Sequence, residues 1–134
     1  MGREAGQTIY GYDRRATMVS DGTGKPGDFV ALDGNGQVTT SDGTDNPSFT
    51  GVLSNSKDNK EGIEAGEVVS VMIGGVVVAN VTAGVEDGDG LGPSATEGAA
   101  TSGGSSAEAL SDAGGEFNGP IPDGTAAVNL DGGN

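Results

Sequence analysis

Residues 67–85, EVVSVMIGGVVVANVTAGV, constrain the fold more than any other stretch, because they form the only dense apolar run in the chain. Ten of the fifteen residues from 67 to 81 are apolar, most of them β-branched. Gly74-Gly75 sits in the middle, and two glycines between β-branched runs predict a two-residue hairpin turn. In that register Ile73 faces Val76, Val71 faces Val78 and Val69 faces Asn80 on one side. The other side carries Val68, Ser70, Met72, Val77, Ala79 and Val81. Such a hairpin is apolar on both faces, so both must be covered, by its own domain or by a second subunit. Val68, Met72 and Val77 are therefore the expected subunit-interface residues.

The rest of the chain offers little else to bury. Its 134 residues suit one modest domain. Leu, Ile, Val and Phe number only 25, beside 27 Gly, 5 Pro and a formal net charge of −14. That composition borders on the disordered range. The concentration of apolar residues in one run is what favours a folded core, and a core this thin implies help from oligomerisation or a partner. All three Arg (Arg3, Arg14, Arg15) fall in the first fifteen residues, and residues 16–134 carry 18 acids against three Lys. A body so acidic repels phosphate, so nucleic acid is not an expected partner. The acidity has two readings: adaptation to a salt-rich, halophilic setting, where screening tolerates the self-repulsion, or an acidic cation-binding surface. Few Lys and many small residues favour the first. No stretch reads as a membrane span or as the apolar core of a secretory signal, so no membrane is expected.

Along the chain, short β-compatible segments alternate with turn chemistry. Residues 1–16 read as an N-terminal arm holding both Tyr and all the Arg, followed by a single β-rich domain over 17–134. Strands are expected at 16–20, 29–32, 37–40, 49–53 and 126–130, with a tight turn at Asp33-Gly34-Asn35-Gly36. Residues 42–48 and 55–61 read as loops, 86–93 as a turn cluster, and 93–125 as loop-rich, with one helical turn or strand near 107–110. No window has sustained helical periodicity. The expected class is all-β, a small barrel or sandwich of short antiparallel strands with an extended N-terminal arm.

Chemistry is hard to place on this sequence. With neither His nor Cys, the Ser-His-Asp, Cys-His and thiolate or imidazole metal arrangements are excluded. Paired carboxylates need an apolar cleft to separate their pKa values, and the acids here sit among Gly, Ser and Asn. The Asp87-Gly88-Asp89-Gly90 run fails the EF-hand pattern, with Leu91 at its fifth position and Gly98 at its twelfth. Such acidic glycine runs read as plain turns. The expectation is no enzyme, no metal and no cofactor.

The order of features resembles one family. A Tyr-bearing polar arm leads to Phe49-Thr50-Gly51-Val52-Leu53, then to the core VSVMIGGVVVANV, then to VEDGDGLGPSATEG. This resembles the head decoration, or capsid cement, proteins of tailed viruses, through Gly51, Val52, Leu53, Val69, Val71, Gly75, Val77, Gly88, Asp89 and Leu91. The resemblance spans about residues 27–104 and departs from the family in its acidity and its longer Gly/Ser-rich segment after Asp89. It implies a compact β fold that forms a homo-oligomer, a trimer, on the outer capsid surface of a virion, bound to the major capsid protein. It further implies that Ile9, Tyr10, Tyr12, Arg14 and Arg15 form the contact arm. The alternative is a stand-alone acidic β-domain gripping a carbohydrate or a cell-surface partner.

Overall fold

The computed structural model describes residues 3–43 and 49–131, with the backbone alone at 10–13. The expected loop at 42–48 thus lies mostly outside the described residues. The described residues form nine strands and one helical turn: β1 (Thr8–Ser20), β2 (Phe29–Leu32), β3 (Gln37–Thr40), β4 (Gly51–Leu53), α1 (Lys57–Lys60), β5 (Val68–Asn80), β6 (Gly90–Pro93), β7 (Ala100–Ser102), β8 (Ala107–Ala109) and β9 (Thr125–Asn129). The all-β class holds.

Strand pairing runs β1-β3-β2-β4-β5-β9-β8-β6-β7, and β1 also pairs with β5. The first five strands therefore close into a ring. Only the β1–β3 pairing in it is parallel, with Val19 opposite Gln37. The remaining strands extend from the second half of β5, where β9 takes the edge that β4 takes in the first half, all antiparallel. A single bridge, Val81 to Ala100, brings β7 back to the end of β5. Two small lobes thus share β5, and closing them leaves few free strand edges.

The central run is one continuous strand, not a hairpin, which corrects the reading of Gly74-Gly75 as a turn. The two glycines form a bulge instead. Before them Val69, Val71 and Ile73 pack in one cluster and Met72 in another; after them Val77 and Ala79 join the cluster of Met72. Strict alternation would have put Val76 and Val78 there, but these pack with Ile121 and Ala127 in a third cluster. One inserted residue switches the faces, and Gly75, at φ +91°, takes the left-handed conformation that such a bulge needs. The partner strand is irregular at the same place: Tyr10 lies opposite Val76 and Arg14 opposite Gly74.

Most of the expected arm is strand β1, so a boundary at residue 16 would cut a strand in half. Thr17, Met18 and Val19 pair with Ser70, Val69 and Val68, and Thr8 pairs with Val77. The long strand β5 has hydrogen-bonding edges on both sides, and the N-terminal segment satisfies one of them. Strand β7 lies within the stretch expected to be loop-rich, β8 resolves the choice between a helical turn and a strand near 107–110 in favour of the strand, and β6 falls in the expected turn cluster. These strands pack through Gly and Ala, so they carry no apolar alternation to read. Gly92 meets Gly104 so closely that a Cβ on Gly104 would lie 2.5 Å from the Gly92 Cα. The helical turn α1, expected as loop, is capped by Ser56, whose Oγ accepts from the Asn59 N–H at 3.3 Å.

Candidate functional site

The residues expected to contact partners fall in three different places. Met72 and Val77 are fully buried in the main cluster with Phe29, Val52, Leu91 and Val128. They are core residues and cannot offer side chains to another subunit. The cause is the bulge, which turns both toward the junction of the two lobes. Val68 differs: it is 57% exposed, at the start of β5.

Ile9 packs, half-buried, against Val76, Val78, Ile121 and Ala127. Arg14 donates from Nη2 to Asp131 Oδ1 at 2.6 Å. Arg15 donates to the Thr8 hydroxyl at 3.2 Å. The side chains of Tyr10 and Tyr12 lie outside the described residues. The described part of the N-terminal segment is thus engaged with its own chain.

The exposed apolar groups gather at one end of the ring. Among the described residues, the large apolar side chains left exposed are Leu32, at 61%, and Val68. Backbone pairing links their strands across that end: Val68 lies opposite Val19, Val19 opposite Gln37, and Leu32 opposite Val38. Beside Val68 an open groove of about 620 Å³ is lined by Asp58, Glu61, Ile63, Glu64 and Glu67. Helix α1 is held there by buried Asn59, whose Nδ2 donates to the carbonyls of Ser54 and Ser70 at 2.9 and 3.1 Å. Its Oδ1 is buried without a hydrogen-bond partner.

Near Leu32, two shallow depressions meet at Thr23, Thr40 and Glu97. Asp28, at the edge of one, is almost wholly buried. Its carboxylate accepts from Asn80 Nδ2 at 2.6 Å, the Lys25 N–H at 3.0 Å and Lys25 Nζ at 3.3 Å. These bonds tie the loop before β2 to the end of β5, which is the kind of partnering a buried carboxylate requires. Sequence reasoning did not single out Asp28, and no local motif marks it; the partners are brought together by the fold.

Two carboxylates, exposed Glu4 and half-buried Asp21, are tuned by neighbours. Glu4 is held below the ordinary carboxylate range by hydrogen bonds from Lys60 and Asn55 and by the Lys60 charge. For Asp21 burial pushes upward, but hydrogen bonds from Thr23 and Thr39 outweigh it and leave the group lowered. Among the described residues no three acids converge on a point that could hold a metal ion, and no helix is long and apolar enough to cross a membrane. Compared with protein-family models, curated proteins and solved structures, the chain matches none.

Proposed function

We propose that this protein is a structural decoration protein, which binds the outside of a viral shell built from a major capsid protein and assembles there as a homotrimer. The observation that carries this reading is the placement of Leu32 and Val68, both exposed at one end of an otherwise well-buried β body. A contact over that end removes two large apolar side chains from water, worth on the order of 1–2 kcal/mol each when fully covered. Weak contacts of this size become firm attachment when many copies sit on one shell. The resemblance in residues 27–104 supports the same role, and the acid-lined groove beside Val68 suits a partner face carrying Lys or Arg.

The docking element differs from the arm that the resemblance implies. Residues 8–20 complete the ring, so attachment is assigned to the ring end and not to a free N-terminal segment. The test is to purify particles from cultures producing the protein and to measure its abundance on them, with the Leu32→Asp/Val68→Asp variant as control. Stoichiometric recovery of the native chain, released as a trimer, with loss of the folded variant from particles, is the expected result. Absence of the native chain from particles, or undiminished attachment of the variant, overturns the proposal.

A further inference from the structure

The chain contains two Asn-Gly pairs, Asn35-Gly36 and Asn118-Gly119, and the fold surrounds them with opposite charge. The geometry points to Asn118-Gly119 as a site of self-modification, where the asparagine converts through a succinimide to aspartyl and isoaspartyl forms.

Asn118 is exposed, in the loop between β8 and β9. It is the one non-glycine residue with positive φ, +54°, among the described residues. An L-residue adopts that conformation at a steric cost. The loop is held in place by its neighbours: Phe117 N–H donates to the Gly119 carbonyl at 2.9 Å, and Ile121 N–H to the Gly115 carbonyl at 2.9 Å. The Gly119 N–H itself donates to no acceptor among the described residues. Arg3 straddles the turn: its backbone N–H donates to the Pro120 carbonyl, and its guanidinium Nη2 donates to the Asn118 backbone carbonyl, each at 3.0 Å.

The last bond matters chemically. In the first step the Gly119 nitrogen loses its proton to solvent base and bonds to Asn118 Cγ. The C–N bond of the side-chain amide breaks, and ammonia leaves with the proton it needs from water. Water then adds across either carbonyl of the five-membered ring, opening it to the aspartyl or the isoaspartyl chain. The nucleophile is the deprotonated peptide, and its negative charge is shared with the Asn118 carbonyl oxygen. A guanidinium already bonded to that oxygen stabilises the charge as it develops. Gly119 has no side chain to shield the attacking nitrogen.

Asn35-Gly36 lacks this help. Its turn is organised around the Asp33 carboxylate, which accepts from the Asn35 N–H at 2.7 Å and from the Gln37 N–H at 3.2 Å. A fixed negative charge beside the peptide opposes its deprotonation. By local sequence alone the order would be the reverse, because Asn35 follows a glycine and Asn118 follows the bulky Phe117. A preference for Asn118 is therefore a property of the folded chain.

The experiment is a time course of the native protein at mildly alkaline pH, with peptide mapping by mass spectrometry to follow each site. In the folded protein, Asn118 is expected to convert faster than Asn35, roughly fivefold for about 1 kcal/mol of charge-assisted stabilisation. In denaturant the preference should vanish or invert. Arg3→Gln, a change at a half-buried position that keeps the backbone bond to Pro120, should slow Asn118 by a similar factor and leave Asn35 unchanged. Conversion of Asn35 at an equal or higher rate in the folded protein, or an Arg3→Gln variant with an unaltered Asn118 rate, overturns the inference.

Discussion

Asp131 Oδ1 accepts a hydrogen bond from Arg14 Nη2 at 2.6 Å, and Asp131 Oδ2 accepts the Gly75 backbone N–H at 3.1 Å. One carboxylate from beyond β9 thus fastens strand β1 to the bulge in β5. Arg14 lies directly over Gly74, where an added Cβ would come within 2.5 Å of the guanidinium nitrogen Nε. An arginine that the sequence offers as a partner contact is in fact part of how the chain holds its own bulge.

Asp131→Ala should lower stability by about 1 kcal/mol, most of it from the uncapped Gly75 N–H. The ion pair is largely exposed and adds less than the amide bond does. Urea denaturation of Asp131→Ala, Arg14→Ala and the double variant should give a small coupling energy, about 0.5 kcal/mol. Coupling beyond about 2 kcal/mol would show the pair to be more deeply engaged than this geometry allows.

Alanine substitutions at three glycines of the central region should rank by what the new Cβ meets. Gly51→Ala should be the most damaging, because its Cβ collides with the backbone carbonyl of Met72, which cannot move alone. Gly75→Ala should cost about 1–2 kcal/mol for a left-handed residue with a side chain. Gly74→Ala should cost least, since the obstructing Arg14 side chain can swing away. Thermal melts of the three variants check the order.

Removing residues 1–16 should abolish cooperative folding and not merely attachment. A detachable arm would leave the body intact, but here the deletion removes the pairs that residues 8–16 make along β5 and leaves residues 17–20 alone to close the ring. Loss of the folded circular dichroism signal is the expected result. A truncated chain with a sharp native-like melt would restore the arm.

Met72→Ala and Val77→Ala should destabilise the subunit, Met72→Ala by about 2–5 kcal/mol as a buried large-to-small change. Val68→Asp should leave the melting temperature nearly unchanged, because the side chain already faces water. Oligomer and particle-binding measurements separate the two classes: only Val68→Asp should act on assembly without acting on the melt.

Acid should weaken the fold through Asp21 and Glu4. Both carboxylates have folded-state pKa values below the ordinary range. The stability they supply is therefore fully present above the unfolded carboxylate range, near pH 4, and is lost as pH falls through the lower folded-state values. Asp21→Asn should flatten the acid limb of a stability-versus-pH curve below about pH 4 and leave its slope at neutral pH unchanged.

The sequence by itself determined the β class, because β-branched runs punctuated by Gly, Asp and Pro leave no helical period to follow. It also located β2, β3, β4 and β9 and the tight turn at residues 33–36, where alternation and turn chemistry are local signals. Tertiary structure alone decided what Gly74-Gly75 does. A glycine pair permits a turn or a bulge with equal ease, and the choice depends on which strands lie alongside. With β1 along one edge of β5 and β4 and β9 sharing the other, a continuous bulged strand satisfies more backbone hydrogen bonds than a hairpin folded on itself. The same choice buried Met72 and Val77, left Val68 in solvent and drew the N-terminal segment into the sheet. Strands β6 and β7 were illegible, and β8 was left open between a helical turn and a strand, for a related reason: their packing depends on the close approach of Gly and Ala, which appears only when the chain is folded.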